Sequence, residues 1–335
     1  MRIIINNFLE VREKMKKNKT MLRRLGMGCG WLWALVLTGC ASVAPVPVVT
    51  TEAPPHQTVV TPPVTVVQPV PIRRPVHLGL ALGGGAARGF AHVGVIQVLE
   101  EAGLKPSHVV GTSAGSLVAA LYASGKSVPE LRKAAETMEE AEITDWMVPL
   151  LNRGALRGEA LAKYVNSQVG GRNLEHMKIP LGIVATDLRS GEAITFRRGN
   201  TGSAVRASSA VPAVFQPVRI GDREYVDGGL VAPVPVRQTR EMGANFVIAV
   251  DISSDPEGNP AGDTFQILLQ TFTIMGKSIN TLALKDADIV IRPALSGVKS
   301  ADFSARRRSI EAGRVAMLAQ LPRLKERLAA FEAGH

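Results

Sequence analysis

The sequence predicts an α/β fold of three layers, with helices on both sides of a mostly parallel central sheet. Beyond Pro75, short apolar runs alternate with stretches of helical periodicity, the pattern of strands joined by crossover helices. Glycine clusters fall where the runs break into helices. The roughly 260 residues from 76 to 335 suit one domain near the upper size of a single core. No internal repeat is visible.

In chain order, residues 1–39 come first and read as a secretory signal. Met21-Leu22-Arg23-Arg24 is a basic start, Trp31 to Leu37 an apolar core too short to span a bilayer, and Leu37-Thr38-Gly39-Cys40 closes it with small residues. Residues 1–20 carry no such pattern, so Met21 is an alternative start. Thr38-Gly39-Cys40 preceded by leucine resembles the lipobox of bacterial lipoproteins, in which the cysteine takes fatty acyl chains such as palmitate; an ordinary cleaved signal with a chance cysteine is the other reading. Cys29 would leave with the signal and Cys40 be consumed by lipid. The remaining chain then folds without thiol or disulfide.

Residues 40–75 are rich in Pro, Val and Thr and read as a semi-rigid tether between lipid and domain, since proline removes backbone donors and favours polyproline II. The formal charge of +10 is concentrated at the N-terminus, where residues 1–39 hold eight Lys/Arg against two Glu. Residues 76–335 carry only +3, and aromatic residues make up 4% of the chain, so nucleic-acid binding has no support.

Within the domain, His77 to Leu82 is a buried strand that breaks at Gly83-Gly84-Gly85. Arg88 to Glu101 follows with helical spacing through Val93, Ile96 and Leu99, and stops at Gly103 and Pro106. The plan repeats: His108 to Val110 is a strand, Gly111-Thr112-Ser113-Ala114-Gly115 a turn, Ser116 to Ser124 a helix. Ser127-Val128-Pro129-Glu130 is a capping box for the next helix. Later strands are expected at 181–186, at 193–196 after a Ser190-Gly191 turn, at 245–250 and at 288–291, with a hairpin turning at Gly221-Asp222.

Three loops carry chemistry. A serine on the strand-to-helix turn, Ser113 between Gly111 and Gly115, holds its hydroxyl clear of the sheet and under the amides of a helix start. Such a serine needs a proton acceptor, and the usual order of Ser, acid, then His is missing: after Ser113 only His176 and His335 remain, one ahead of the best acid and one at the chain end. Asp227 in Asp227-Gly228-Gly229 is the acid candidate, although an isolated Asp-Gly-Gly also reads as a plain turn. The loop Gly83, Gly84, Gly85, Ala86 supplies backbone N–H groups of the kind an oxyanion hole requires. It fails as a dinucleotide fingerprint, because Arg88 stands where the third glycine belongs.

Together these loops resemble the patatin-like phospholipases, whose hallmarks are Gly-Gly-Gly-x-x-Arg-Gly, Gly-x-Ser-x-Gly and Asp-Gly-Gly in that order. The similarity extends through Ala185-Thr186-Asp187-Leu188, Ala207-Ser208-Ser209-Ala210-Val211-Pro212 and Asp302-Phe303 with Ile310 and Gly313, or roughly residues 77–315. The resemblance implies the patatin-like three-layer fold and a Ser113–Asp227 dyad acting through an acyl-enzyme on phospholipid or lysophospholipid. By the same resemblance the amides of residues 83–86 hold the oxyanion, Arg88, Gly111, Gly115, Gly228 and Gly229 support the site, and neither metal nor organic cofactor is needed. Ala232 departs from the asparagine that many relatives carry there, which bears on the local hydrogen bonding of the Asp227 loop.

His92, beside Val93, reads as structural. The stretch Phe265 to Met275 is a candidate lining or lid for an acyl groove, with an ordinary core helix as the alternative. Arg306-Arg307-Arg308 reads first as a solvated helix face, with anionic-lipid contact as the other option. Two function classes stay open beside the hydrolase: an acyltransferase using the same Ser113 intermediate, and a lipid-binding lipoprotein without catalysis. Ala41 and Ser42, with no acidic retention residue, fit the outer-membrane pattern of bacterial lipoproteins, the domain facing the periplasm.

Overall fold

The computed structural model describes residues 75–143, 145, 154–257, 262–299 and 301–334. The expected signal, the lipidation site Cys40, the tether up to residue 74 and His335 lie outside the described residues. Pro75 already belongs to the domain, since its carbonyl accepts from Asn245 Nδ2 at 2.8 Å.

Ten strands are described: β1 (Leu78–Leu82), β2 (His108–Thr112), β3 (Gly154–Leu156), β4 (Leu181–Asp187), β5 (Ala193–Phe196), β6 (Ala213–Phe215), β7 (Val218–Ile220), β8 (Arg223–Asp227), β9 (Phe246–Val250) and β10 (Ile289–Ile291). β3 and β6 form a small parallel pair that the sequence did not announce, and the other eight build the main sheet. Its core runs β10-β9-β1-β2-β4, all parallel. The expectation of a mostly parallel sheet holds for this core, whereas β5, β8 and β7 add an antiparallel flank. The last two form the expected hairpin across Gly221-Asp222.

How β4 is shared sets up everything that follows. β5 pairs with residues 183–186 along one edge of β4. β2 pairs with 181–184 and β8 with 185–187, and both overlap β5, so they must share the opposite edge. They approach along that edge from opposite directions. Consecutive residues of β4 mark the meeting point: Val184 is opposite Thr112, and Ala185 opposite Asp227. The C-terminal ends of β2 and β8 therefore abut.

Alternation along the strands separates two faces, as period-2 geometry requires. Leu78, Leu80 and Leu82 of β1, with Phe246, Ile248 and Val250 of β9, enter the larger core. Ala81, Val247 and Ala249 enter a smaller one on the other side. The larger core is covered by α1 (Ala91–Glu101), α2 (Ala114–Ala123), α3 (Val128–Thr137) and the long α9 (Arg306–Glu332); the thinner layer holds α7 (Val236–Glu241). The remaining helices are α4 (Glu140–Ile143), α5 (Glu159–Gln168), α6 (Thr201–Ser208) and α8 (Thr264–Ala283). Among the described residues, no helix is long and apolar enough to cross a membrane.

Local sequence explains the element ends. The Ser127/Glu130 capping box is formed, with Glu130 accepting from the Ser127 amide at 2.7 Å. The helix expected from Arg88 opens instead with a 3-10 turn, Ala86–Phe90, before α1. α1 and α9 cross at a glycine on each: a Cβ on Gly94 would lie 1.9 Å from the Ile310 carbonyl oxygen, and one on Gly313 1.9 Å from that of Ala91. Arg306 departs from the expected solvated face. Its side chain is largely buried and donates to the Glu136 carbonyl at the end of α3, leaving Arg307 and Arg308 exposed.

Candidate active site

Ser113 follows β2 directly and caps α2 with φ 52° and ψ −123°, a backbone conformation that L-residues rarely adopt. The turn is held from below by close backbone approach: a Cβ on Gly115 would lie 2.2 Å from the Leu82 carbonyl oxygen, and one on Gly111 2.4 Å from that of Gly115. Only glycine fits either place. The strain aims the hydroxyl at the abutting end of β8, where Ser113 Oγ donates to Asp227 Oδ2 at 2.7 Å.

Asp227 is held as tightly. Its Oδ1 accepts from the Gly229 amide at 2.6 Å, and its own carbonyl accepts from Thr186 Oγ1 at 2.8 Å. Gly228 is needed because a Cβ there would meet the Val184 carbonyl oxygen at 2.3 Å. The carboxyl is buried, and burial pushes its pKa up to about 6; the Gly229 amide and the Ser113 hydroxyl pull it back in part. The Ala232 departure is accommodated by backbone: its carbonyl accepts from Thr112 Oγ1 at 2.8 Å and its amide donates to Gly228 O at 2.8 Å.

Of the two histidines weighed as partners, His335 lies outside the described residues and His176 does not reach this pair. His176 is exposed on the 3-10 turn Leu174–His176. His92 is fully buried on α1, and its Nε2 hydrogen-bonds the Gly83 carbonyl at 2.8 Å, so Nε2 carries the proton. Burial lowers its pKa to about 4, which keeps the ring neutral. It braces the glycine loop, consistent with a structural role.

The four loop residues divide into two kinds. Gly83 N donates to Val250 O at 3.0 Å and Gly84 N to Pro233 O at 2.9 Å, so those two amides are already engaged. The Gly85 and Ala86 amides have no acceptor among the described residues, and Ala86 stands at φ 51°. This narrows the expected set of four oxyanion donors to the latter pair. Gly84 brings the loop close to the nucleophile, since a Cβ there would lie 3.1 Å from Ser113 Cβ. Arg88 is buried and donates through Nε to Gly85 O at 3.2 Å, bracing the loop.

One supporting residue had no role in the sequence reading. Ser208, fully buried on α6, accepts from the Ser113 amide at 2.8 Å and donates to Val184 O at 2.5 Å. Its hydroxyl ties the nucleophile turn to β4. The only signal for it was the Ala207-Ser208-Ser209 similarity, which says nothing about direction or partner.

The dyad lies in the wall of a mostly apolar cavity of about 760 Å³, whose lining also includes Arg88, Glu140 and Lys277. Leu117, Leu121, Leu131, Met138 and Phe303 line it together with Phe265, Leu269 and Phe272 of α8. The stretch 265–275 is thus split. Phe265, Leu269 and Phe272 face the cavity, and only Gly276 and Asn280 of α8 are buried, so α8 is not a core helix.

Residues 80–240 match the family model described as patatin-like phospholipase. An uncharacterized NTE family protein of Mycobacterium tuberculosis is 36% identical over 188 residues, which cover 56% of this chain and 52% of that one. Mouse patatin-like phospholipase domain-containing protein 6 is 30% identical over 215 residues, 62% of this chain and 16% of the other. The chain spans about half the length, or less, of the curated relatives it matches. Among solved structures, VipD from Legionella pneumophila superposes with a TM-score of 0.51 at 16% identity, covering 75% of this chain and 67% of its own, a likeness of fold.

Proposed function

We propose that the protein is a patatin-like phospholipase, the family whose model residues 80–240 match, and that it hydrolyses fatty-acyl esters of phospholipids or lysophospholipids through a Ser113–Asp227 dyad. The observation that carries this reading is the 2.7 Å bond from Ser113 Oγ to a buried carboxylate in the wall of a mostly apolar cavity. Ser113 Oγ attacks the acyl carbonyl while its proton passes to Asp227 Oδ2. The charge that develops on the carbonyl oxygen is met by the Gly85 and Ala86 amides and by the N-terminus of α2. Collapse of the tetrahedral species expels the alcohol, which takes the proton from Asp227. Water then attacks the acyl-enzyme, gives a proton to Asp227, and releases the fatty acid as Ser113 Oγ is reprotonated.

A carboxylate with a pKa near 6 is a stronger base than an ordinary one, which suits a dyad without histidine. The Gly229 amide on Oδ1 leaves Oδ2 for the proton. The test is mass-spectrometric product analysis on mixed phospholipids and lysophospholipids. Free fatty acid is expected from the parent chain, with turnover reduced by on the order of 10⁴-fold or more in Ser113→Ala and in Asp227→Asn. Turnover surviving in Ser113→Ala overturns the mechanism.

The same proposal includes an anchor: lipid on Cys40 holds the domain at the outer membrane, facing the periplasm, by way of the 40–75 tether. Leu37-Thr38-Gly39-Cys40 supports it. Metabolic labelling with palmitate should mark the parent chain and not Cys40→Ser; equal labelling of both refutes the anchor.

A further inference from the structure

We propose that the outward face of α8 is a bilayer-docking surface that seats the mouth of the Ser113 cavity on a membrane, a contact separate from any lipid on Cys40. It rests on the lipid-ester reading above. At 3.6 residues per turn, Ile267, Leu268, Ile274, Met275 and Leu282 fall on the side of α8 turned away from the cavity. Ile267, Ile274 and Leu282 are 53%, 54% and 66% exposed. A helix on a water-facing surface ordinarily turns charged residues outward. α8 has a single charged residue, Lys277, which lies on the cavity side and pairs with Asp255 at 3.1 Å.

The polar residues on the outward face are Thr264, in the first turn, then Thr271, Ser278 and Thr281. Thr271 Oγ1 donates to the Ile267 carbonyl at 2.9 Å and Thr281 Oγ1 to that of Lys277 at 2.8 Å. The Thr271 and Thr281 hydroxyls are thus satisfied by the helix's own backbone, the condition that hydrocarbon surroundings impose on a polar group. A protein partner would be expected to find tryptophan, tyrosine or arginine anchors here, and the face presents none.

Continuity with the cavity selects the bilayer as occupant. Phe265 is 47% exposed and also lines the cavity wall, where it is followed by Leu269 and Phe272. The exposed patch and the path to Ser113 thus share an edge. An acyl chain leaving a docked bilayer at Phe265 meets Leu269 and Phe272 in the wall of the cavity that holds the dyad. Because the face carries no charge, docking is expected to be indifferent to salt.

The experiment uses the full chain, phosphatidylcholine vesicles and two variants outside the cavity lining. The triple variant Ile267→Gln/Ile274→Gln/Leu282→Gln should lose at least 10-fold in turnover of vesicle phospholipid while its kcat/KM on a water-soluble p-nitrophenyl butyrate stays at the parent value. In Ile274→Trp, the added indole emission, taken as the difference from the parent chain, should shift to the blue with vesicles and be quenched by brominated phosphatidylcholine, equally at low and high salt.

An unquenched indole overturns the proposal, as does vesicle turnover unchanged in the triple variant. So does a parent dimer that the triple variant dissociates without any quenching, which would make the face a contact between copies. If the parent chain cleaves neither substrate, the hydrolase reading falls, and indole quenching still decides the docking.

Discussion

At the dyad, burial and hydrogen bonding pull Asp227 in opposite directions, and burial wins. The free carboxyl therefore titrates near 6 instead of near 3.8. Since only the ionised form can accept the Ser113 proton, kcat/KM should rise with pH through about 6 and level off above it, a limb that a pH profile measures directly. The same shift has a cost in stability. Below 3.8 the residue is neutral folded and unfolded; between 3.8 and 6 the unfolded chain releases the proton first, and the native state loses up to about 3 kcal/mol, fully lost above 6. Asp227→Asn keeps an acceptor for the Gly229 amide and has nothing to ionise. It should be inactive yet more stable than the parent at pH 8 by up to that amount, with the gain gone near pH 3.5, as denaturant midpoints at the two pH values would reveal.

At the scale of elements, the α1–α9 crossing gives the sharpest expectation. The Cβ missing from Gly94 would be 1.9 Å from a backbone oxygen of α9, and backbone cannot rotate out of the way. Gly94→Ala should force the helices apart at about 1–3 kcal/mol, read as a lower denaturation midpoint. α1 begins directly after the glycine loop, so activity should fall with it.

The sequence made this element list readable where burial is uniform. β1 and β9 are apolar throughout and stood out as strands. β8 carries Arg223 and Glu224 at its start, and nothing local states which strand it joins, so its antiparallel seat on β4 was not legible. α8 was ambiguous for the opposite reason. It is apolar on both sides, and periodicity cannot separate a cavity wall from an exposed face. Ser208 was invisible as a functional group because its partners, the Ser113 amide and the Val184 carbonyl, are brought to it only by the folded sheet.

At the scale of the whole molecule, the nucleophile and its base were each readable from glycine-flanked motifs, and what joins them was not. Ser113 and Asp227 are 114 residues apart, and their contact exists because two strands running toward each other stop at adjacent residues of β4. Changing the β4–β8 pairing by a single residue would carry the carboxylate about 3.3 Å along the strand and onto the other face.

That head-on meeting makes catalysis a clock for folding. The local β1-α1-β2-α2 units can form early, but the dyad joins residues 114 apart and waits until β2 and β8 both sit on β4, and closing such loops is slow. During refolding from denaturant, far-UV circular dichroism should recover ahead of esterase activity. The interval between the two curves times the arrival of β8 against β4, and simultaneous recovery would show that the distant strand is home from the start.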